Sequence, residues 1–213
     1  MVERTDHPVR PARGREGPYH PGMDRAFDHL LTPRLVLRRF TTADVEAFAR
    51  YRSMPEVARF QGWEAPFPLE NAMSFVDWMV AHHPDEPGDW FQIAIALRGS
   101  PDAILGDCAF RPHKDEPRIA DIGFTLDAAA QGHGYATEAI GELLRYLFEE
   151  RGKHKVAADC DTRNDASWRL LERLGFVREG ELRESFRDGE AWASEYLYGL
   201  QAADWRARNH TAP

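Results

Sequence analysis

Two glycines placed directly before an amphipathic helix are the feature that most constrains this chain. The segment QGHGYATEAI spans residues 131–140, and Gly132 and Gly134 permit backbone conformations that other residues disfavour. Apolar residues at helical spacing then predict a helix, namely Ala136, Ile140, Leu143, Leu144 and Leu147. The first N–H groups of a helix lack internal partners and lie at the positive end of its dipole. The segment therefore predicts a turn that binds an anion such as phosphate.

The glycine pattern alone is also compatible with a capped structural helix. It lacks the third glycine of the G-x-G-x-x-G pattern of dinucleotide-binding proteins. It also lacks the G-K-[ST] ending of a P-loop. Neither of these two nucleotide-binding modes is therefore predicted.

The turn resembles the pyrophosphate loop of the GNAT acetyltransferase superfamily, R/Q-x-x-G-x-G/A, filled here by Gln131, Gly134 and Ala136. Four other segments resemble, in the same order, the GNAT branch that includes the ribosomal-protein alanine N-acetyltransferases. They are LTPRLVLRRFTTADVEAF (residues 31–48), ADIGFTL (120–126), NDASWRLLERLGFVREGELRE (164–184) and AWASEYLYGLQAADW (191–205). The resemblance covers residues 31–205.

The resemblance implies the GNAT acyl-CoA N-acyltransferase fold, an α+β (mixed α/β) fold with a mostly antiparallel central sheet and helices on both faces. Hydrophobic periodicity and turn residues predict a compatible order of elements. Strands are expected at residues 35–37, 91–97, 104–110, 119–126, 155–161, 176–186 and 192–200. Helices are expected from Thr41 or Thr42 to residue 51, at 56–60 and 69–82, from the glycine turn to Gly152, and at 166–174.

Composition fits one catalytic domain. The chain has 213 residues, 43% of them hydrophobic, which is enough to bury a single sizeable core. Residues 1–26 contain prolines, glycines and mixed charges without periodicity, so a flexible N-terminal arm is expected there. The acetyltransferase domain is expected at 27–207 and a C-terminal tail at 208–213.

Charge and hydropathy limit the partners of the chain. No run of residues approaches the roughly 18 apolar residues of a membrane span, and the N-terminus has no apolar leader, so a cytoplasmic protein without a membrane partner is expected. The net charge of −8 argues against a nucleic-acid surface and favours cationic amine acceptors. Cys108 and Cys160 have no ligand-spaced partners, so both are interpreted as core thiols and no metal is predicted. A monomer and a homodimer are both compatible with the sequence.

The resemblance implies where a coenzyme would bind. In GNAT enzymes the fourth and fifth strands separate, and the pantetheine arm of acyl-coenzyme A pairs with the fourth strand. By position, Phe124, Thr125 and Leu126 would supply these contacts, and an N–H at a bulge there would polarise the thioester carbonyl. The pyrophosphate would lie over Gln131, Gly132, His133, Gly134, Tyr135, Ala136 and Thr137. Asn164 would contact coenzyme A, and its alternative role is a helix N-cap.

The implied reaction is N-acetyl transfer from acetyl-coenzyme A, the co-substrate, to a primary amine of a protein N-terminus or a small molecule. The amine would attack directly in a ternary complex. Asp121 stands where the related A-E-I-G-Y pattern has glutamate, which makes it the candidate base. The alternative for Asp121 is a carboxylate that only pairs within the site.

A hydrogen-bond donor to the coenzyme sulfur is the second catalytic candidate. Ser167 of the N-x-x-S pattern could serve, because Leu171 stands where many GNAT enzymes carry a tyrosine acid. The alternative for Ser167 is a bond to a preceding helix carbonyl. Loss of that tyrosine also keeps open a different function, a non-catalytic acyl-coenzyme A sensor. A cysteine nucleophile is not favoured, because neither cysteine has a histidine at a motif-like spacing.

The acceptor pocket is assigned only by family analogy. It would include Trp63, Glu64 and Phe67 from the early helices, Asp121, and Arg187 and Trp192 from the last hairpin. The aromatic residues among them are equally compatible with core anchors. The sequence does not choose among amine acceptors, since one fold serves many of them.

Overall fold

The computed structural model describes residues 27–84 and 86–209 of the chain. The predicted N-terminal arm, residues 1–26, lies outside the described residues, as do residues 210–213 of the predicted tail. The last helix runs to Asn209, so helical structure continues past the domain boundary expected at residue 207.

Eight strands form one sheet across the described residues. They are β1 (His29–Leu31), β2 (Leu35–Arg38), β3 (Phe91–Leu97), β4 (Ser100–Pro112), β5 (Ile119–Leu126), β6 (Lys155–Asp161), β7 (Val177–Asp188) and β8 (Ala191–Gln201). Their order in the sheet is β1-β2-β3-β4-β5-β6-β8-β7. All neighbours pair antiparallel except β5 and β6, which are parallel. The predicted mostly antiparallel sheet is confirmed, although β1 is too short to show the alternation that would have predicted it.

Six α-helices cover the sheet within the part of the chain that the structure describes. They are α1 (Val45–Arg52), α2 (Pro55–Ala58), α3 (Leu69–Ala81), α4 (Tyr135–Arg145), α5 (Asp165–Leu174) and α6 (Ala202–Asn209). Helix α4 continues as a π-helical turn at Tyr146–Glu150. Gly152 follows with φ +63°, which agrees with its predicted role of ending this helix.

Two hydrophobic clusters separate the helices into two layers. Strand β3 is apolar except for the buried Gln92, and it is covered on both faces, because Ile93 and Ala94 belong to different clusters. Ile93 packs in the cluster that contains α4, α5 and α6, whereas Ala94 packs with α1, α2 and α3. The expectation of helices on both faces of the sheet is therefore confirmed.

A buried group of charges joins α1 to β4. Asp107 and Arg52 are each only 3% exposed. The Tyr51 hydroxyl donates a hydrogen bond to Asp107, and Arg52 Nη2 lies 3.7 Å from Asp107 Oδ2. The Arg52 guanidinium lies 3.9 Å from the centre of the Trp63 ring and 4.2 Å from that of Phe48. Burial raises the pKa of the Asp107 carboxyl, although Arg52 and Tyr51 act in the opposite direction.

Removing this carboxylate is expected to destabilise the fold. Asp107→Ala leaves the Arg52 charge buried without a counter-ion, so the free energy of unfolding should fall by about 3–5 kcal/mol. Asp107→Asn, which keeps an acceptor for Tyr51, should give a smaller loss. Urea denaturation measures both. A loss under about 1 kcal/mol in Asp107→Ala would mean that the aromatic rings alone compensate the guanidinium.

Candidate active site

The parallel strands β5 and β6 separate soon after they meet. They pair only over Ile119 with Lys155, Ala120 with Val156 and Asp121 with Ala157. Beyond this point β5 continues along β4, whereas β6 pairs with β8 as far as Asp161. The separation, here called the fork, leaves one edge of β5 unpaired over residues 122–126.

The expectation of a bulge in β5 is wrong for this chain. The pairing of β4 with β5 runs without a register shift from Pro112 opposite Ala120 to Gly106 opposite Leu126. The free edge arises because β6 turns towards β8, so it needs no irregularity in β5. An N–H that polarises a carbonyl at the fork would therefore come from a regular strand edge.

A groove of about 610 Å³ runs from the fork along the turn before α4. Nearly all the residues predicted to bind coenzyme border it, namely Phe124, Thr125, Leu126, Gln131, Gly132, Gly134, Tyr135, Ala136, Thr137, Asn164 and Ser167. His133 is the exception and does not border the groove. Its ring is exposed and stacks on that of Tyr135, with 5.5 Å between the ring centres. The structure brings the other predicted residues together around one concave surface.

The turn before α4 has the backbone geometry of an anion site. Gly132 and Gly134 have φ values of +77° and +79°, a left-handed conformation that other residues rarely adopt. A Cβ on Gly132 would meet no atom within 4 Å, so conformation and not crowding favours glycine there. Within the described part of the chain, the N–H groups of residues 132–137 donate no hydrogen bond. These donors are available at the start of an 11-residue helix.

A carboxylate holds this turn from behind. Glu138 accepts hydrogen bonds from Thr32 Oγ1 at 2.5 Å, Arg34 N at 2.9 Å and Arg34 Nε at 2.6 Å. Arg34 Nη1 also donates to the carbonyl oxygen of His133 at 3.0 Å. Partial burial opposes ionisation, but the bonds from Thr32 and Arg34 outweigh it and lower the pKa of Glu138. The segment before β2 thus fixes the turn through a charged network.

Two arginines on α5 supply positive charge to the groove. Arg169 and Arg173 both border it, and a spacing of four residues puts them on the same face of the helix. Arg173 Nη1 donates to Thr137 Oγ1 at 3.3 Å, and Arg169 pairs with Asp165 at 3.1 Å. Neither arginine was expected at the site from the sequence, although their spacing after the N-x-x-S pattern was a usable signal.

A smaller cavity of about 90 Å³, here called the fork cavity, adjoins the groove and shares five lining residues with it, among them Phe124, Asn164 and Ser167. Three carboxylates are among its lining residues, Asp159, Asp161 and Glu195. Arg163 binds both oxygens of Asp161, at 2.9 and 2.5 Å, and also reaches Asp188 at 2.7 Å. The fork cavity is therefore acidic, with one of its carboxylates neutralised by an arginine.

Asn164 and Ser167 lie where the groove and the fork cavity meet. Asn164 caps α5, because its Oδ1 accepts from Ser167 N at 3.2 Å, as its alternative role predicted. Ser167 Oγ makes no hydrogen bond to any described residue, so the bond to a helix carbonyl that was its alternative role is not found. Leu171 also borders the fork cavity, and the cavity has no tyrosine in its lining among the residues described.

Asp121 is engaged by two basic side chains. Arg111 Nη2 donates to its Oδ2 at 2.7 Å, and His113 Nε2 lies 2.9 Å from its Oδ1. Its side chain is 17% exposed and borders neither the groove nor the fork cavity. This arrangement fits the alternative of a pairing carboxylate. The role of Asp121 as a base stays a prediction.

The five other residues suggested for the acceptor pocket do not border the groove or the fork cavity. Trp63 and Phe67 pack around Arg52, which fits their alternative role as core anchors. Glu64 is exposed, and Trp192 pairs with Arg187 in the last hairpin, where it is 56% exposed. The fork cavity is bordered instead by Phe60, Gln61 and Phe186. Long-range packing sets these contacts, so no local pattern identified them.

Both cysteines are buried free thiols. Both belong to the hydrophobic core, as predicted, and Cys160 also borders the fork cavity. Burial, followed by the charges of Asp159 and Asp161, raises the pKa of the Cys160 thiol to about 12. A protonated thiol is a poor nucleophile, so the geometry disfavours an acetyl-cysteine intermediate.

Cys160→Ala is accordingly expected to keep turnover within about threefold of the wild type. At pH 8 only about one thiol in 10⁴ would be ionised, so iodoacetamide should modify Cys160 slowly, as mass spectrometry would measure. A folded Cys160→Ala protein without turnover would reinstate the covalent route.

A possible metal-ligand group lies elsewhere. His82, Glu86 and Asp89 offer ligand atoms within 4.8 Å of one another. His82 Nε2 already lies 3.3 Å from Asp89 Oδ2, and its Nδ1 lies 3.1 Å from the Trp78 carbonyl oxygen. These bonds account for the arrangement, and none of the three residues borders the groove or the fork cavity.

No helix within residues 27–84 and 86–209 is both long enough and apolar enough to cross a membrane.

Comparisons with known proteins agree with this geometry. Residues 34–177, which include the turn, the fork strands and Ser167, match the family model described as an acetyltransferase (GNAT) domain. The uncharacterized N-acetyltransferase YnaD of Bacillus subtilis (strain 168) is 29% identical over 177 residues, which are 83% of this chain and 99% of that protein. The ribosomal protein uS5-alanine N-acetyltransferase of Escherichia coli (strain K12) is 30% identical over 84 residues, 39% of this chain and 43% of the relative.

Solved structures give the same result for the fold. The crystal structure of an acetyltransferase of the GNAT family from Bacillus anthracis matches with a TM-score of 0.72 and 27% sequence identity. The match covers 82% of this chain and 99% of the other.

Proposed function

We propose that this chain, which belongs to the GNAT acetyltransferase family, transfers the acetyl group of acetyl-coenzyme A to a primary amine at the fork. The protein is an acyltransferase, and N-acetyl transfer from acetyl-coenzyme A is the reaction of its family. One observation carries the proposal for this site. The groove and the fork cavity meet at Phe124, Asn164 and Ser167, so a long ligand and a small one can touch there.

The residues of the groove fit coenzyme A. The free edge of β5 over residues 122–126 offers backbone groups to the amides of a pantetheine arm, which would add to the sheet like a strand. The N–H groups of residues 132–137 and the guanidinium groups of Arg169 and Arg173 would hold phosphate oxygens. The groove thus offers each part of the coenzyme a partner of matching chemistry.

The fork cavity suits an amine. Its carboxylates attract an ammonium ion, and its small volume holds the nitrogen near the thioester. An N–H on the free edge of β5 would polarise the thioester carbonyl. Ser167 Oγ, which has no partner among the described residues, would hydrogen-bond the sulfur as the C–S bond breaks. A thiolate leaves readily, so a strong acid is not required.

The acceptor class remains as broad as the sequence suggests, a protein N-terminus or a small-molecule amine. We also propose a cytoplasmic location for the protein, as the sequence predicts. The comparisons give no support to the alternative of a non-catalytic sensor.

Turnover with a panel of amines tests the proposal. The wild-type protein is expected to release free thiol from acetyl-coenzyme A only when an acceptor amine or N-terminal peptide is present, as a thiol reagent would measure. Calorimetry supplies the second measurement. Tight binding of acetyl-coenzyme A without turnover across the panel would indicate a sensor, and no binding at all would refute the coenzyme site.

The turn is tested by Gly134→Asp. An aspartate there would bring bulk and negative charge to the place where phosphate must approach, so affinity for acetyl-coenzyme A should fall at least about 100-fold, or about 2.7 kcal/mol. Gly152→Asp is the matched control, because Gly152 also has a positive φ and lies outside the groove lining. Calorimetry compares the two variants. Equal affinities for them would contradict the assignment of the turn.

A further inference from the structure

The reaction needs a group that removes a proton from the acceptor. An alkylammonium ion has no lone pair and cannot attack a carbonyl carbon until one proton has left. A carboxylate at hydrogen-bond distance from the nitrogen can take that proton. Three carboxylates border the fork cavity and are candidates for this role, Asp159, Asp161 and Glu195.

Only one of these carboxylates is both sheltered and uncommitted to an arginine. Asp161 is bound through both oxygens by Arg163. Asp159 is exposed to solvent, where water competes with the acceptor. Glu195 is half-buried on β8, and its one hydrogen-bond partner among the described residues is the neutral Ser185 hydroxyl, which donates to Oε2 at 2.9 Å. That bond fixes the carboxylate and leaves Oε1 available.

The surroundings of Glu195 favour a cationic guest. Across the sheet it stands opposite Asp161, with the same charge sign, while Asp159 and Arg163 are the other charged groups from the β6 side. The β7 strand presents the hydroxyl of Ser185, and the remaining walls of the fork cavity, such as Phe60 and Gly123, are uncharged. Two arginines are near, and both are paired, Arg163 with Asp161 and Arg178 of β7 with Glu172 at 3.1 Å. An ammonium ion beside Glu195 would therefore meet carboxylates and no unpaired arginine.

Position also distinguishes Glu195 from Asp121. The Glu195 side chain borders the same cavity as Phe124 and Ser167, the residues at the proposed thioester position. Asp121 borders no part of that cavity, and its two oxygens are occupied by Arg111 and His113. The carboxylate on β8 therefore has the access to the reacting nitrogen that the carboxylate on β5 lacks.

We propose that Glu195 is the general base of the transfer, an inference that rests on the proposed function. Glu195 Oε1 takes one proton from the ammonium group. The freed lone pair forms the C–N bond at the thioester carbon, and the C–S bond then breaks with its electrons moving to sulfur. The second nitrogen proton leaves as the amide forms and neutralises the thiolate. Glu195 returns its proton to solvent, so the ammonium ion and the thioester become amide, thiol and one released proton.

The pH dependence of Glu195→Gln tests this role. At pH 7 its kcat should be at least about 100-fold below that of the wild type, in the range expected for loss of a general base. At a pH near 10 much of an alkylamine acceptor is already neutral, so the deficit should shrink to about tenfold or less. The KM for acetyl-coenzyme A should stay within about threefold. Steady-state kinetics with the best alkylamine of the panel measures kcat at both pH values and the KM for acetyl-coenzyme A.

Glu190→Gln is the matched control, because Glu190 is an exposed glutamate in the turn of the same hairpin. It borders neither the groove nor the fork cavity. It should match the wild type at every pH. A Glu195→Gln deficit that is equal at pH 7 and pH 10 would reduce Glu195 to a structural role, and wild-type kinetics in this variant would also overturn the proposal. A pH-dependent deficit in Asp121→Asn, absent from Glu195→Gln, would return the role to Asp121.

Failure of the proposed function looks different from failure of this inference. A wild-type protein that acetylates no amine refutes the proposed function before any variant is compared. A wild-type protein that turns over and shows no dependence on Glu195 refutes only the assignment of the base. Thermal melting of each variant at pH 7 and pH 10 confirms that the kinetics describe folded protein.

Discussion

The site depends on the limited pairing of β6. This strand has two edges, and one of them is paired with β8 along its whole length from Lys155 to Asp161. Its other edge meets β5 over only three residue pairs before the strands separate. That separation creates the free edge of β5, the groove beside this edge, and the acidic fork cavity that adjoins the groove. A sheet in which β5 and β6 stayed paired would leave neither ligand a place to bind.

The buried charges that join α1 to β4 stabilise the strands next to the fork. Asp107, which is bonded by Tyr51, lies directly opposite Thr125 in the pairing of β4 with β5. Helix α1 is thereby attached to β4, the direct neighbour of the strand whose free edge borders the groove. A buried ion pair adds little to the free energy of unfolding, but removal of one partner lowers that free energy strongly, because the other charge stays buried without a counter-ion. A single substitution at either charge is therefore destabilising. A rigid neighbouring strand suits a site whose contacts are mainly backbone groups.

Local sequence signals predicted the parts of the site that depend on local conformation. The left-handed glycines Gly132 and Gly134 and the cap Asn164 could be recognised because each acts within a few residues of itself. Their contacts with coenzyme stay predictions. The acceptor side could not be found in this way. Trp63 packs under a helix instead of lining a cavity, and Glu195 reaches the fork only through the pairing of β8 with β6, which no local pattern encodes.

The order of strands has a consequence for synthesis on the ribosome. Every residue that borders the groove proposed for coenzyme A lies at or before Arg173, whereas β8, with Glu195, is translated later. A nascent chain therefore contains the whole donor half of the site while the outer edge of β6 is still open. Such an edge can pair with other strands, and non-local partners close it last. The acceptor wall is thus the final piece of the enzyme to assemble, and an elongating chain has no completed active site until its last hairpin has docked.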